Sequence, residues 1–150
     1  MATAIRMHAA GGPEVLRVEE VAVGDPGPGE VLIGHSAVGL NFIDTYQRSG
    51  LYPMALPATL GMEAAGVVEV LGDGVNGIEV GDRVAYPMTG GAYCTERTIP
   101  ADKVVKVPDS VDDNTAAAMM LKGMTAEYLL HRTFPVEAGQ TILFHAAAGG

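Results

Sequence analysis

Short alternating runs, each cut off by a turn, fill the first hundred positions, and few architectures other than a β-barrel or sandwich accept that pattern. Residues 31–40 set Val31, Ile33 and Ala37 on one side and Leu32, Val38 and Leu40 on the other. Residues 65–71 form a second predicted strand, closed by the Gly72-Asp73-Gly74 turn. Gly81-Asp82 turns the chain into a third at 83–86. Residues 93–99 alternate again, with Tyr93, Thr95, Arg97 and Ile99 on one face and Cys94, Glu96 and Thr98 on the other. Between the first two strands lies the polar stretch 41–49, which fits one or two helical turns with Gly50 as the C-terminal cap.

Past Pro108 the character changes. Ser110-Val-Asp-Asp113 predicts a capping box in which Asp113 replaces the usual Glu. Residues 115–121 are rich in Ala, Met and Leu, all good helix formers. Lys122-Gly123 predicts an interruption, and residues 125–132 a second helix with Ala126, Leu129 and Leu130 as its apolar face. Residues 135–140 read as a loop, and the nearly all-apolar run 141–144 as a strand buried on both faces of a parallel sheet. That run leads into His145-Ala-Ala-Ala-Gly149-Gly150. A buried strand followed by a small-residue loop is how a dinucleotide-binding unit begins, because glycines let the backbone approach a pyrophosphate.

Charge and cysteine content narrow the function classes. Nine basic residues face 18 acidic ones, for a formal net charge of -9, and nucleic-acid or anionic-membrane partners need the opposite sign. No apolar run approaches the roughly 20 residues that span a bilayer. The N-terminal residues lack the pattern of a signal peptide, so the expected location is cytoplasmic. Cys94 is the only cysteine, which excludes an intrachain disulfide and any site built from several cysteines.

Seven segments, in order and spread over the whole chain, carry a resemblance. They are His8-Ala-Ala-Gly-Gly-Pro-Glu-Val-Leu16, Gly39-Leu-Asn-Phe-Ile-Asp-Thr-Tyr46, Arg48-Ser-Gly-Leu-Tyr-Pro53, Leu60-Gly-Met-Glu-Ala-Ala-Gly66, Gly81-Asp-Arg-Val-Ala-Tyr86, Leu121-Lys-Gly-Met-Thr125 and Phe144-His-Ala-Ala-Ala-Gly-Gly150. Together they resemble the quinone oxidoreductase branch of the medium-chain dehydrogenase/reductase superfamily, with zeta-crystallin-like NADPH:quinone reductases nearest. The resemblance implies a mainly β chain with a few helices: a GroES-like β-barrel over residues 1–122. Residues 123–150 are then a linker helix and the first strand of a Rossmann-type nucleotide-binding domain, so the chain is expected to be truncated there.

The chemistry the resemblance implies is zinc-independent reduction of quinones by NADPH, by hydride or single-electron transfer. Zinc-dependent relatives place a Cys and a Gly-His-Glu motif where this chain has Leu40-Asn41-Phe42 and Gly61-Met62-Glu63. A catalytic zinc wants three protein ligands, and a thioether and an amide are poor substitutes. No metal ligand is therefore expected, and Glu63 is expected to pair with a basic group. Asn41 and Tyr46 are the implied catalytic residues: the amide near the nicotinamide ribose, the phenol as a hydrogen-bond or proton donor to the acceptor. Tyr46, Asp44 and Tyr52 are implied in acceptor binding, although Asp44 equally suits nearby backbone donors. Asn41, Phe42, Lys122, Thr125, Gly149 and Gly150 are implied in cofactor binding. Thr125 also suits the N-cap of the second helix, and Lys122 equally suits a solvated surface position. Partners are a small-molecule quinone or enone, without nucleic acid or membrane. The intact enzyme is expected to be a homodimer; these 150 residues alone are expected to be inactive and monomeric. Two rivals stand beside this: a GroES-like binding or co-chaperonin module, and an enone or haloacrylate reductase of the same superfamily.

Overall fold

A computed structural model describes residues 1–145. Its strands are β1 (Ala2–Met7), β2 (Arg17–Val21), β3 (Glu30–Val38), β4 (Ala58–Thr59), β5 (Ala64–Leu71), β6 (Arg83–Tyr86), β7 (Glu96–Pro100) and β8 (Val105–Lys106). The helices are α1 (Phe42–Ser49) and α2 (Asp113–Glu127), the latter continued by a π-helical segment, Tyr128–Thr133. The strands form an antiparallel three-stranded sheet, β2-β1-β4, and an antiparallel five-stranded sheet, β7-β3-β5-β6-β8. Backbone bonds join the two: Ile5 N–H donates to Tyr93 C=O (2.8 Å) and Thr95 N–H to Thr3 C=O (2.9 Å). This is a mainly β architecture with few helices, as the alternating pattern predicts.

Alternation explains the core. Val31 and Ile33 on β3, Val68 on β5, Val84 and Tyr86 on β6, and Ile99 on β7 all point inward and are fully buried. Each such aliphatic side chain stabilises the fold by about 1.5–3 kcal/mol. On the far side of β5 and β6, Ala65 and Ala85 meet Ala116 and Ala117 of α2, small residues that let the helix lie close. Gly66 pairs with His35 on β3, and a Cβ there would overlap the carbonyl of Gly34. No helix among the described residues is long and apolar enough to cross a membrane.

Several boundaries differ from the sequence reading. β3 stops at Val38; its register against β5 shifts between His35 and Ala37, and Leu40 is left exposed. The 93–99 run is a strand only from Glu96, because Tyr93–Thr95 hydrogen-bonds to β1, with Ala4 bridging Cys94. The cap of α2 is Asp112, not Ser110: its carboxylate accepts Thr115 N–H (2.9 Å), while Asp113 turns away to Arg83. Lys122-Gly123 does not interrupt the helix. One Gly costs about 1 kcal/mol of propensity, and the grip of neighbouring residues on the protein body outweighs it. Residues 141–144 form no strand, and Ile142, Leu143 and Phe144 are exposed, since no parallel neighbour lies beside them among the described residues.

Candidate active site

Helix α1 begins where it must. Asn41 occupies the N-cap position with extended backbone, and Gly50 ends the helix in the left-handed conformation at φ 83°. The Asp44 carboxylate accepts the Asn41 backbone N–H (2.9 Å), the reaching-back half of a capping box. The Asn41 side chain is thereby released from capping and turns toward Glu63 and Lys122.

Glu63 lies just before β5 and is fully buried. One carboxylate oxygen accepts from Asn41 Nδ2 (2.8 Å) and Lys122 Nζ (3.3 Å), and the other from the Leu121 backbone N–H. Lys122, half-buried, also donates to Asn41 Oδ1 (2.9 Å) and Leu40 C=O (3.4 Å). A buried carboxylate is tolerated only when its lone pairs are satisfied, and removing a partner from such a pair costs about 3–5 kcal/mol. The three side chains also fix one another's sense. Turning the Asn41 amide over would aim its NH2 at an ammonium and its oxygen at a carboxylate.

A second cluster lies beneath α1. Asp44 is buried, and the oxygen that caps the helix also accepts from the Tyr93 hydroxyl (2.6 Å); the other oxygen, Oδ1, has no partner. Burial and the neighbouring Asp44 carboxylate hold the Tyr93 phenol above its ordinary range. Tyr93 carries no motif, and only its contact with Asp44 across 49 residues of sequence reveals it. Met62 is buried, its sulfur 3.7 Å from Gln47 Nε2.

Leu40, Asn41, Phe42, Thr45 and Lys122 line a cavity of about 290 Å³. Beside it Phe42, Tyr46 and Tyr52 form an aromatic row at ring separations of 5.1 and 5.3 Å, with faces open to solvent. A second cavity, about 350 Å³, is bounded by Met88, Leu121, Met124, Thr125 and Tyr128. Thr125 caps nothing; inside α2 its hydroxyl donates to Leu121 C=O (2.7 Å) and keeps its oxygen lone pairs. Lys122 is not a solvated lysine but a bridge between α2 and Asn41. Asn41, Phe42 and Lys122 thus share one cavity wall, Tyr46 and Tyr52 continue the aromatic row from Phe42, Thr125 lines the second cavity, and Asp44 is buried on the underside of α1. Gly149 and Gly150 lie outside the described residues.

Two further groups of reactive residues are structural in their contacts. His35 Nδ1–H donates to Cys94 C=O (2.8 Å), its Nε2 meets the Tyr86 hydroxyl (3.0 Å), and burial pushes its pKa down. Burial pushes the Cys94 thiol up, and the thiol donates to Gly91 C=O (3.3 Å), an environment that suppresses thiolate chemistry. Among the described residues no group of three His, Cys, Asp or Glu side chains is placed to hold a metal ion.

A small mainly β unit of two antiparallel sheets with a helix packed on one of them is the fold of alcohol-dehydrogenase-like domains. The alcohol dehydrogenase GroES-like domain matches residues 27–136, and the chain belongs to that family. Within it, the chain is 53% identical over 153 residues to a quinone oxidoreductase of Pseudomonas aeruginosa, covering 100% of this chain and 47% of that protein. It is 48% identical over 157 residues to a 2-haloacrylate reductase of a Burkholderia species, covering 100% and 47%. The crystal structure of Escherichia coli quinone oxidoreductase complexed with NADPH superimposes with a TM-score of 0.87 at 47% identity, over 90% of this chain and 42% of that one. The chain spans about half the length of the curated relatives it matches.

Proposed function

We propose that this chain is the substrate-side half of an NADPH-dependent quinone oxidoreductase that works without zinc. The observation that carries it is the locked Asn41 amide at the wall of a cavity flanked by Phe42, Tyr46 and Tyr52. Asn41 spends one N–H on Glu63 and one lone pair on Lys122, and keeps one of each for a ligand. That residual pair, beside a half-buried ammonium, fits the ribose of a dinucleotide. The Thr125 oxygen, facing the adjoining cavity, fits a second polar contact. Bound there, NADPH supplies the reducing equivalents.

The chain's own residues do the rest. The aromatic row, its rings set edge-on and tilted to one another, offers exposed apolar surface to an acceptor ring. The Tyr46 phenol holds an acceptor oxygen and donates the proton that a two-electron route requires. Donor chemistry supports a zinc-free site: the Glu63 carboxylate is engaged by three N–H donors, and its neighbour Met62 offers only a thioether. Quinone is favoured over haloacrylate because the aromatic row suits a ring.

The test is steady-state kinetics of the full-length protein with NADPH and a benzoquinone in metal-chelated buffer. Turnover that survives chelation and falls steeply in Tyr46→Phe is expected. Turnover abolished by chelation and restored by Zn²⁺ would overturn the proposal, and faster reduction of 2-chloroacrylate than of any quinone would replace the acceptor.

A further inference from the structure

Glu63 enters the scheme above only as a partner of Asn41, yet it is a costly group to bury. It is a fully buried carboxylate in a place where an apolar residue would cost no desolvation. All its partners converge on one wall. Asn41 lies on it, Lys122 lies on it, and Leu121 N–H belongs to the turn of α2 that carries Lys122. Room for the carboxylate is made deliberately: Gly39 packs directly on it, and a Cβ on Gly39 would overlap Glu63 Cγ and Oε1. Gly39 N–H also bonds Glu63 C=O (3.0 Å), fixing the backbone from which the side chain springs.

An asparagine alone has two amide orientations of nearly equal shape. Here a negative acceptor stands on its nitrogen side and a positive donor on its oxygen side. The two charges are 3.3 Å apart and lie across the amide, so each excludes the inverted rotamer. We propose that Glu63 is a positioning residue: with Lys122 it holds the Asn41 amide in one sense, so that a ligand hydroxyl in the cavity always meets the same N–H and the same lone pair. This rests on the functional reading above only in naming the ribose hydroxyls of NADPH as that ligand.

The prediction is a thermodynamic cycle on the full-length protein. Glu63→Gln leaves either Leu121 N–H or the Asn41 and Lys122 donors facing an NH2 group. It is expected to weaken NADPH binding, followed by nicotinamide fluorescence, about tenfold or more. In an Asn41→Ala background the same change is expected to leave the dissociation constant within about twofold. The double variant Asn41→Asp/Glu63→Gln exchanges amide and acid. It keeps the net charge, the bond between positions 41 and 63 and those of Lys122 to position 41 and Leu121 to position 63, and gives up only the longer Lys122 contact with position 63, while removing the Asn41 N–H. It is expected to recover the melting temperature but not NADPH affinity.

A second readout needs no cofactor. In ¹⁵N spectra the Asn41 side-chain NH2 pair, assigned by its loss in Asn41→Ala, is expected to be sharp and slow to exchange, and to collapse in Glu63→Gln. An equal loss of affinity with and without Asn41, or an unaltered Asn41 NH2 pair in Glu63→Gln, overturns the assignment. Recovery of affinity in the exchanged pair would likewise reduce Glu63 to a structural group. If the wild-type protein does not bind NADPH, the functional reading fails by itself, and the amide spectrum alone decides whether Glu63 orients Asn41.

Discussion

The Tyr86 hydroxyl stands 3.0 Å from Nε2 of His35, whose Nδ1–H is committed to Cys94 C=O, so the ring is neutral and the phenol is the donor. Burial pushes the Tyr86 phenol from 10.0 up to about 12. The folded state therefore keeps a proton that the unfolded chain gives up, and stability falls as pH rises through that window. Urea midpoints measured from neutral pH upward should decline from about pH 9, first through the half-buried Cys94 thiol and then through Tyr86 and Tyr93, with Tyr86 contributing roughly 2–3 kcal/mol by pH 12. Tyr86→Phe should lower stability near neutrality and flatten the alkaline decline; an unchanged slope would contradict the assignment.

The acid side has the opposite origin. Burial first, and the Arg97 charge behind it, lower the pKa of His35 below its ordinary 6.5. As pH drops through 6.5 the unfolded chain takes up a proton that the folded one refuses, so stability is lost on acidification. Melting temperatures between pH 7.5 and 5 should fall in the wild type and fall less in His35→Leu, whatever that variant's absolute stability.

Gly123 sits within α2, and an added Cβ would meet only Met119, at 3.7 Å and beyond. Gly123→Ala should therefore stabilise the protein by about 0.5–1 kcal/mol. A lower melting temperature would mean that α2 breaks at Lys122-Gly123 after all.

At Gly66 the same substitution has the reverse sign. Its Cβ would intrude on the carbonyl of Gly34 in the neighbouring strand, and neither backbone can yield without opening β3 from β5. Gly66→Ala should cost about 3 kcal/mol or more. Soluble, native-like protein at wild-type stability would refute the tight β3–β5 approach.

Local signals made part of this readable in advance. Gly50 ends α1 as expected because cap preferences act within a few residues, whereas Asn41, read as part of the helical turns, is the cap before them. Alternation at Val31 and Ile33 marks a buried face without any knowledge of the partner strand. Ser110 misleads because Asp112, two residues on, is an equally good cap, and only the pull of Arg83 on Asp113 decides between them. The grip of Lys122 on Asn41 spans 81 residues, and that of Leu121 on Glu63 spans 58. No periodicity encodes contacts so remote. Side chains at 41 and 122 stand out singly as candidates, and Glu63 as the partner of some basic group; that this group is Lys122, its contact with Asn41, and the role of Tyr93 emerge only once the strands are paired.

The stitching of Thr3–Ile5 to Tyr93–Thr95 has a consequence for biosynthesis. β1 leaves the ribosome shortly before β2 and pairs with it, but its bridge to Cys94 requires about ninety residues more. At roughly 5–20 residues per second, that rim of the nascent hairpin stands naked for on the order of ten seconds. During that interval Thr3 and Ile5 offer unpaired backbone groups to any passing strand. Chaperone demand for this polypeptide should accordingly peak before residue 95 emerges and drop once it has.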